Sequence, residues 1–342
     1  MVIKMNIALI CFSDAGSMLA KRLCNLLHLE ASNIHSIEKF AMQYGFTSHK
    51  SVCADMGELF QANDALIYIG ACGIAVRDIA PHLQNKTVDP AVLVLDDQGK
   101  FVIPILSGHI GGANALACSL AEMIGAIPVI TTATDRNGKF SCDTWAVTHN
   151  CAISSMKLAK DISAAILVKN IPVCSEFPMP KDLPNGLTLA DRGELGIYIG
   201  LHTNLPYTAS LCLIPRIVTV GIGCRRGVAM KTIHTAVNEI LEENHIDARA
   251  VCRIASIDVK QNEDGLLEYA KAMKLPIMFY SAAALNAVPG AFAESEFVQQ
   301  TVGVGNVCER AAVCEGGKLI VHKTAKDGVT VAAAVQDWSV TF

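Results

Sequence analysis

The sequence predicts an α/β protein, with two α/β domains of largely parallel sheet joined by a smaller middle segment. Three observations lead there. Short runs that are apolar on both faces, such as "DALIYIG" and "AVLVLD", alternate with stretches of helical periodicity. The runs end in glycine or polar residues, as strands feeding loops do. The pattern lapses near residue 136 and restarts at 216, so the expected domains are 1–135, 136–215 and 216–342. A chain of 342 residues is too long for one ordinary core, which fits this division.

In the first domain "NIALICF" reads as a strand. Ser13 to Leu27 then reads as a helix, with Met18, Leu19, Leu23, Leu26 and Leu27 as its apolar face. Strands follow at 64–70, 91–96 and 101–106, a helix from Gly112 to Ile124, and a last strand in "IPVITTATD" (127–135). Prolines cluster in "IPVCSEFPMPKDLPNG" (171–186), where turns suit better than continuous sheet. The last domain opens with "PRIVTVGIGCRRG" and a helix, and continues with strands at 248–258 and 275–281 and helices at 262–273 and 304–314. It closes on a hairpin turning at Asp327-Gly328.

Composition narrows the function classes. With 51% hydrophobic and 18% charged residues and a net charge of -4, nothing draws the chain to nucleic acid or an anionic membrane. No run approaches the ~20 apolar residues of a spanning helix, and "MNIALICFSDAG" meets Asp14 too soon for a signal peptide. Thirteen scattered cysteines without a CxxC pair read as reduced thiols. The expectation is a cytoplasmic enzyme that binds neither nucleic acid nor membrane and holds no metal of its own.

Chemistry concentrates in the loops. "ILSGHIGGANALA" sets His109 among Gly108, Gly111 and Gly112 where a helix begins. Helix-start amides lack intrahelical partners and favour anions, and a histidine exchanges protons near neutral pH. His109, Ser107, Asn114, Gly111 and Gly112 are therefore the catalytic candidates, and Gly108 a substrate contact. A histidine that merely satisfies carbonyls in a glycine turn is the alternative. Thr131, Thr132, Thr134 and Asp135 follow the next strand and reach the same sheet edge if the strands are parallel; Asp135 serves equally as a helix cap. Arg77, His82 and Lys86 in "GACGIAVRDIAPHLQNKTVDPAV" offer charges for carboxylates, or else a solvated face paired with Asp78 and Asp89. Arg225 and Arg226 sit at a helix start, an odd place for cations unless an anion joins them. Glu263 and Glu309 are general-acid candidates, with helix-start stabilisation explaining Glu263 as well, and Cys224 reads as a turn residue.

These blocks, in this order, resemble the CbiG family of anaerobic cobalamin biosynthesis, the cobalt-precorrin-5A hydrolases. The likeness rests on "GIAVRDIAPHLQNKTVDPAV", "LSGHIGGANALA", "PVITTATD", "GIGCRRG", "ASIDVKQNEDGLLEYA" and "VGVGNVCERAAV", and spans nearly the whole chain. "GIGCRRG" and the later blocks are also similar to the stand-alone partner protein of the aerobic route. Ala71-Cys72 departs from the bulkier residues expected there. The resemblance implies opening of the δ-lactone of cobalt-precorrin-5A with loss of acetaldehyde, giving cobalt-precorrin-5B. It also implies that the cobalt travels with the substrate, so that no cofactor is needed. A tetrapyrrole carrier without catalysis is the rival reading. Neighbouring pathway enzymes and a homodimer stay open as partners.

Overall fold

The computed structural model describes residues 5–85, 88–132 and 137–342. The chain divides into two compact units, 1–144 and 145–342.

The first unit is built on β1 (Ile7–Cys11), α1 (Asp14–Leu26), β2 (Ile34–Ile37), α2 (Glu38–Tyr44), β3 (Thr47–His49), α3 (Val52–Ala62), β4 (Ala65–Ile69), α4 (Cys72–Ile79), β5 (Ala91–Leu95), β6 (Phe101–Leu106), α5 (Ala113–Ile124) and β7 (Ile127–Pro128). The sheet order is β3-β2-β1-β4-β5-β6-β7. β1, β4 and β5 are buried along their whole length, because helices cover both faces. Leu19 and Leu23 of α1 and Ala117 and Leu120 of α5 pack on one face. Met56 and Phe60 of α3 and Ile79 of α4 pack on the other.

Two expectations change here. In α1 the buried stripe is Leu19, Ala20, Leu23 and Cys24, with Ser13 capping the Gly16 amide, while Met18 and Leu26 face solvent. Residues 18 and 26 lie off the stripe that 16, 19/20 and 23/24 define at 3.6 residues per turn. Among the described residues the strand expected over 127–135 covers Ile127–Pro128: Pro128 brings no amide to the ladder and Val129 adds a bond to Val102, while residues 133–135 lie outside the described residues.

One direction of travel decides where the site lies. β1 through β5 run parallel, but β6 is antiparallel to β5, with Val92 beside Leu106. β7 is parallel to β6. The exit of β6 therefore lies at the edge where β5 begins, opposite the edge where β4 ends.

The second unit starts within α6 (Cys142–Thr148) and carries two five-stranded sheets. The first contains β8 (Cys151–Ile153), α7 (Met156–Ala165), β9 (Ile171–Ser175), β10 (Leu187–Leu189), β11 (Leu195–Ile199) and β12 (Ala209–Pro215), in the order β10-β9-β11-β12-β8. The second contains β13 (Val218–Cys224), α8 (Met230–Glu243), β14 (Val251–Ile257), α9 (Asp264–Met273), β15 (Ile277–Tyr280), α10 (Ala282–Ala287), α11 (Glu296–Val302), α12 (Cys308–Val313), β16 (Lys318–Lys326) and β17 (Val329–Val335), in the order β15-β14-β13-β17-β16. The β16–β17 hairpin turns at Asp327-Gly328, both with positive φ. One apolar cluster joins Tyr198, Leu201 and Ile214 of the first sheet to Val220, Ile233 and Ile254 of the second. The two sheets of this unit thus share a core. Among the described residues no disulfide forms, and no helix is long and apolar enough to cross a membrane.

A polar chain at the β2–β3 edge of the first unit carries a pH signature. His35 Nδ1 lies 2.9 Å from His49 Nε2, and His49 Nδ1 lies 2.7 Å from Asp55 Oδ2. Burial, reinforced by His49, pushes His35 down from 6.5 to about 4. The unfolded chain then binds the extra proton between these values, so stability falls as pH drops from 6.5 towards 4, by up to about 3 kcal/mol. Urea midpoints at pH 7 and pH 5 should differ less in His35→Gln than in the parent chain. Equal differences would remove His35 from the acid response.

Candidate functional site

The His109 loop is shaped by two close approaches. Ser107 leaves β6 in the left-handed region, at φ 54°, which turns the chain sharply towards α5. A methyl at position 111 would lie 2.4 Å from Ser107 Cβ, and one at 108 would lie 2.8 Å from Asn114 Oδ1. Position 111, held against Ser107 Cβ and its carbonyl, therefore requires glycine, while a side chain at 108 would displace the Asn114 amide. The Ala113 and Asn114 amides donate back to the Ser107 and Gly108 carbonyls at 3.1 and 2.9 Å, binding the loop to the first turn of α5. A non-glycine residue held in this region costs ~1–3 kcal/mol, and such strain gathers at functional sites.

A cavity of about 200 Å³ opens against this loop, lined by Ser107, Gly108, His109, Ile110, Thr132 and Asp143. His109 Nδ1 lies 3.3 Å from Asp143 Oδ2, the two side chains being 16% and 7% exposed. A carboxylate that accepts from Nδ1–H leaves the lone pair of an imidazole on Nε2. Among the described residues the amides of Gly108, Ile110 and Gly111 meet no acceptor, and the first two belong to residues lining the cavity. A base beside unengaged amide donors can activate water and hold an oxyanion. A second cavity, about 440 Å³, lies along Ile110 and Gly111 and is bounded by Phe60, Asp64 and Asp89.

Several expected residues meet here. Thr132 lines the cavity and its Oγ1 accepts from Asn114 Nδ2 at 3.0 Å. Ser107 Oγ donates to the Asp89 carbonyl at 2.9 Å, so the hydroxyl ties the loop to the start of β5. Thr131 is exposed and does not line the cavity.

Others do not. The Gly112 amide donates to the His109 carbonyl at 2.9 Å, so it is spent within the turn and corrects the expected oxyanion role of Gly112. Arg77 belongs to the helix that leaves β4, the opposite sheet edge from the β6 exit. Its Nη1 folds back to within 3.9 Å of where a methyl on Gly73 would sit. Arg77 would share an edge with the His109 loop if β6 ran with β5, and the antiparallel pairing separates them. His82 packs on α3, 6.2 Å from the Phe60 ring. Lys86, Thr134 and Asp135 lie outside the described residues.

In the second unit Arg225 and Arg226 are exposed at the end of β13, and neither guanidinium forms an ion pair among the described residues. The turn holding them is fixed by Glu263, which accepts from the Gly227 amide and pairs with Lys260 at 2.9 Å. Glu263 is thus committed to structure. So is Glu309, 1% exposed, whose oxygens accept from the Lys323 amide (2.8 Å), the Ala293 amide (3.1 Å) and Asn306 Nδ2 (2.6 Å). A sealed, fully bonded carboxylate has no path to a substrate, which corrects the general-acid reading of Glu309; Glu263, 10% exposed, is engaged by the Gly227 amide and Lys260. Among the described residues no group of three or more His, Cys, Asp or Glu side chains is placed to hold a metal ion.

Sequence reasoning missed Asp143. "SCDTW" carries no motif, and its only signal is an acid at a helix start, which is ordinary capping.

A histidine and a carboxylate facing one cavity of an α/β fold are groups of the kind that acid–base enzymes use. Family models for the Cobalamin synthesis G N-terminal and C-terminus regions match residues 55–135 and 218–334. The chain belongs to the CbiG family. It is 36% identical to the cobalt-precorrin-5A hydrolase of Salmonella typhimurium, over 96% of this chain and 97% of that one. It is 31% identical to the cobalt-precorrin-5A hydrolase of Priestia megaterium, over 81% and 80%. Among solved structures it is similar to a cobalamin biosynthesis protein G homologue from Sulfolobus solfataricus, with TM-score 0.39, 20% identity and coverage of 98% and 99%.

Proposed function

We propose that this chain hydrolyses the δ-lactone of cobalt-precorrin-5A and releases acetaldehyde, giving cobalt-precorrin-5B. The observation that carries the chemistry is His109, backed by Asp143, facing a cavity lined by Gly108 and Ile110. Whole drug-sized ligands occupy ~300–1,000 Å³. The cavity of about 200 Å³ therefore takes the lactone arm of a macrocycle and leaves the ring outside.

His109 Nε2 takes a proton from water as the hydroxide oxygen bonds to the lactone carbonyl carbon. The Gly108 and Ile110 amides meet the oxyanion, a donor type worth ~10²–10³ in rate. Collapse breaks the acyl–oxygen bond, leaving a carboxyl group on the macrocycle and an alkoxide on the bridging carbon. That alkoxide becomes the carbonyl of acetaldehyde as its carbon–carbon bond to the macrocycle breaks. The electron pair passes into the ring, which takes the proton back from the imidazolium. One water is consumed; one of its hydrogens ends on the carboxyl group and the other on the ring.

The cobalt enters and leaves as part of the substrate, and no resident cofactor takes part. Arg225 and Arg226, exposed at the end of β13, bind peripheral carboxylates in this reading. Arg225→Ala and Arg226→Ala should each raise KM about tenfold while kcat stays within about twofold, the mark of uniform binding. A fall in kcat at constant KM would move the pair from binding to chemistry. We place the reaction in the cytoplasm, with neighbouring enzymes of cobalamin synthesis supplying the substrate and consuming the product.

The test is direct. Purified chain is mixed with cobalt-precorrin-5A and acetaldehyde is read through alcohol dehydrogenase and NADH. One acetaldehyde per substrate is expected; tight binding without aldehyde would make the chain a carrier.

A further inference from the structure

We infer that Asp143 is the positioning carboxylate of the reaction, fixing the tautomer and orientation of His109. The inference rests on His109 being the base. Asp143 is 7% exposed, and a carboxylate is not kept so far from water unless its oxygens are bonded. Its two oxygens have separate duties. Oδ1 accepts from Ser141 Oγ at 2.7 Å and from the Thr144 amide at 3.1 Å, so the turn that opens α6 anchors it locally. Ser141 Oγ is itself 2.9 Å from Thr144 Oγ1, which fixes the hydroxyl in turn.

Oδ2 is directed across to a different element, at 3.3 Å from His109 Nδ1 on the β6–α5 loop. Contacts within the first turn of α6 explain Oδ1 alone. They do not require the other oxygen to face an imidazole 34 residues away in sequence, on the wall of a shared cavity. A carboxylate at Nδ1 keeps the hydrogen on that nitrogen and the lone pair on Nε2, the arrangement a general base needs. An amide in its place can donate to Nδ1 and drive the hydrogen to Nε2, which disables the base without emptying the site.

The experiment uses the full chain, with acetaldehyde release as the rate and ¹⁵N NMR of labelled histidine as the tautomer readout. Asp143→Asn should lower kcat ~10²–10⁴-fold while KM stays within about twofold, as loss of the correct tautomer does elsewhere. The His109 signal should change from the Nδ1–H to the Nε2–H form. A His109→Gln/Asp143→Asn double variant should be no slower than His109→Gln alone, because the two side chains act as one unit. Ser141→Ala keeps the carboxylate but loosens Oδ1, and should lower kcat ~3–10-fold with no change in tautomer. If Asp143→Asn does not fold, the parent tautomer and Ser141→Ala decide.

Asp143→Asn with at least half the parent kcat, or a parent His109 in the Nε2–H form, overturns the inference. An active His109→Gln overturns the proposed chemistry itself. An inactive His109→Gln beside an active Asp143→Asn overturns only the role of Asp143.

Discussion

Glutamine at position 109 should abolish nearly all acetaldehyde release, with kcat down ~10³-fold, the middle of the range for losing a positioned acid–base group. The substitution keeps a side chain of similar reach and polarity, so the loop should survive. Its shape is set by the glycine contacts at 108 and 111 and by the Ala113 and Asn114 amides, none of which involves the imidazole. KM should stay within about threefold, since the ring contributes to the transition state more than to ground-state binding. A variant that retains a tenth or more of the parent kcat would take the proton-transfer step away from His109.

Glu309→Gln should destabilise the second unit by about 4 kcal/mol, seen as a lowered urea midpoint at pH 7. Burial alone would raise this carboxyl group. The Lys323 and Ala293 amides and the His322 ring outweigh it and hold the group below the ordinary carboxylate range. A glutamine turns one acceptor into a donor, and whichever way it is placed that donor faces another, Lys323 N–H on one side or Ala293 N–H and Asn306 Nδ2 on the other. The network ties the segment before α11 to β16, so unfolding of the second unit should be affected first. A group with a depressed folded value stabilises above the unfolded value and loses that contribution as pH falls through the folded one. The gap between parent and Glu309→Gln should therefore narrow in acid. A variant within 1 kcal/mol of the parent would mean that the network adds little.

Much of the fold is legible in the residues. β1, β4 and β5 are continuous apolar runs because both of their faces are covered, and the β16–β17 turn is written in Asp327-Gly328. β2 and β3 are not legible. They are four and three residues long and carry His35, Ser36, Ser48 and His49, so no apolar run marks them. The direction of β6 is equally hidden: a short strand with a proline has the same composition running either way, and its direction decides which loops meet. That is why Thr132 reaches the His109 cavity and Arg77 does not.

The glycine loop around His109 is legible, since three glycines crowd one histidine, and two of them lie against a neighbouring side chain. The candidate site is illegible at Asp143, whose partner is 34 residues away and whose local surroundings read as a helix cap. The spent amide of Gly112 was illegible too. Which donors in a turn are used internally depends on dihedral angles that composition does not fix.

Reaction of cobalt-precorrin-5A in H₂¹⁸O, followed by mass spectrometry of the corrinoid product, tests the central claim most directly. Attack of water on the lactone carbonyl places one ¹⁸O in the newly formed carboxyl group, at a rate that falls with acetaldehyde release in His109→Gln. A product that carries no ¹⁸O would mean that the lactone opens at its other carbon–oxygen bond, and would contradict hydrolysis by water activated at His109.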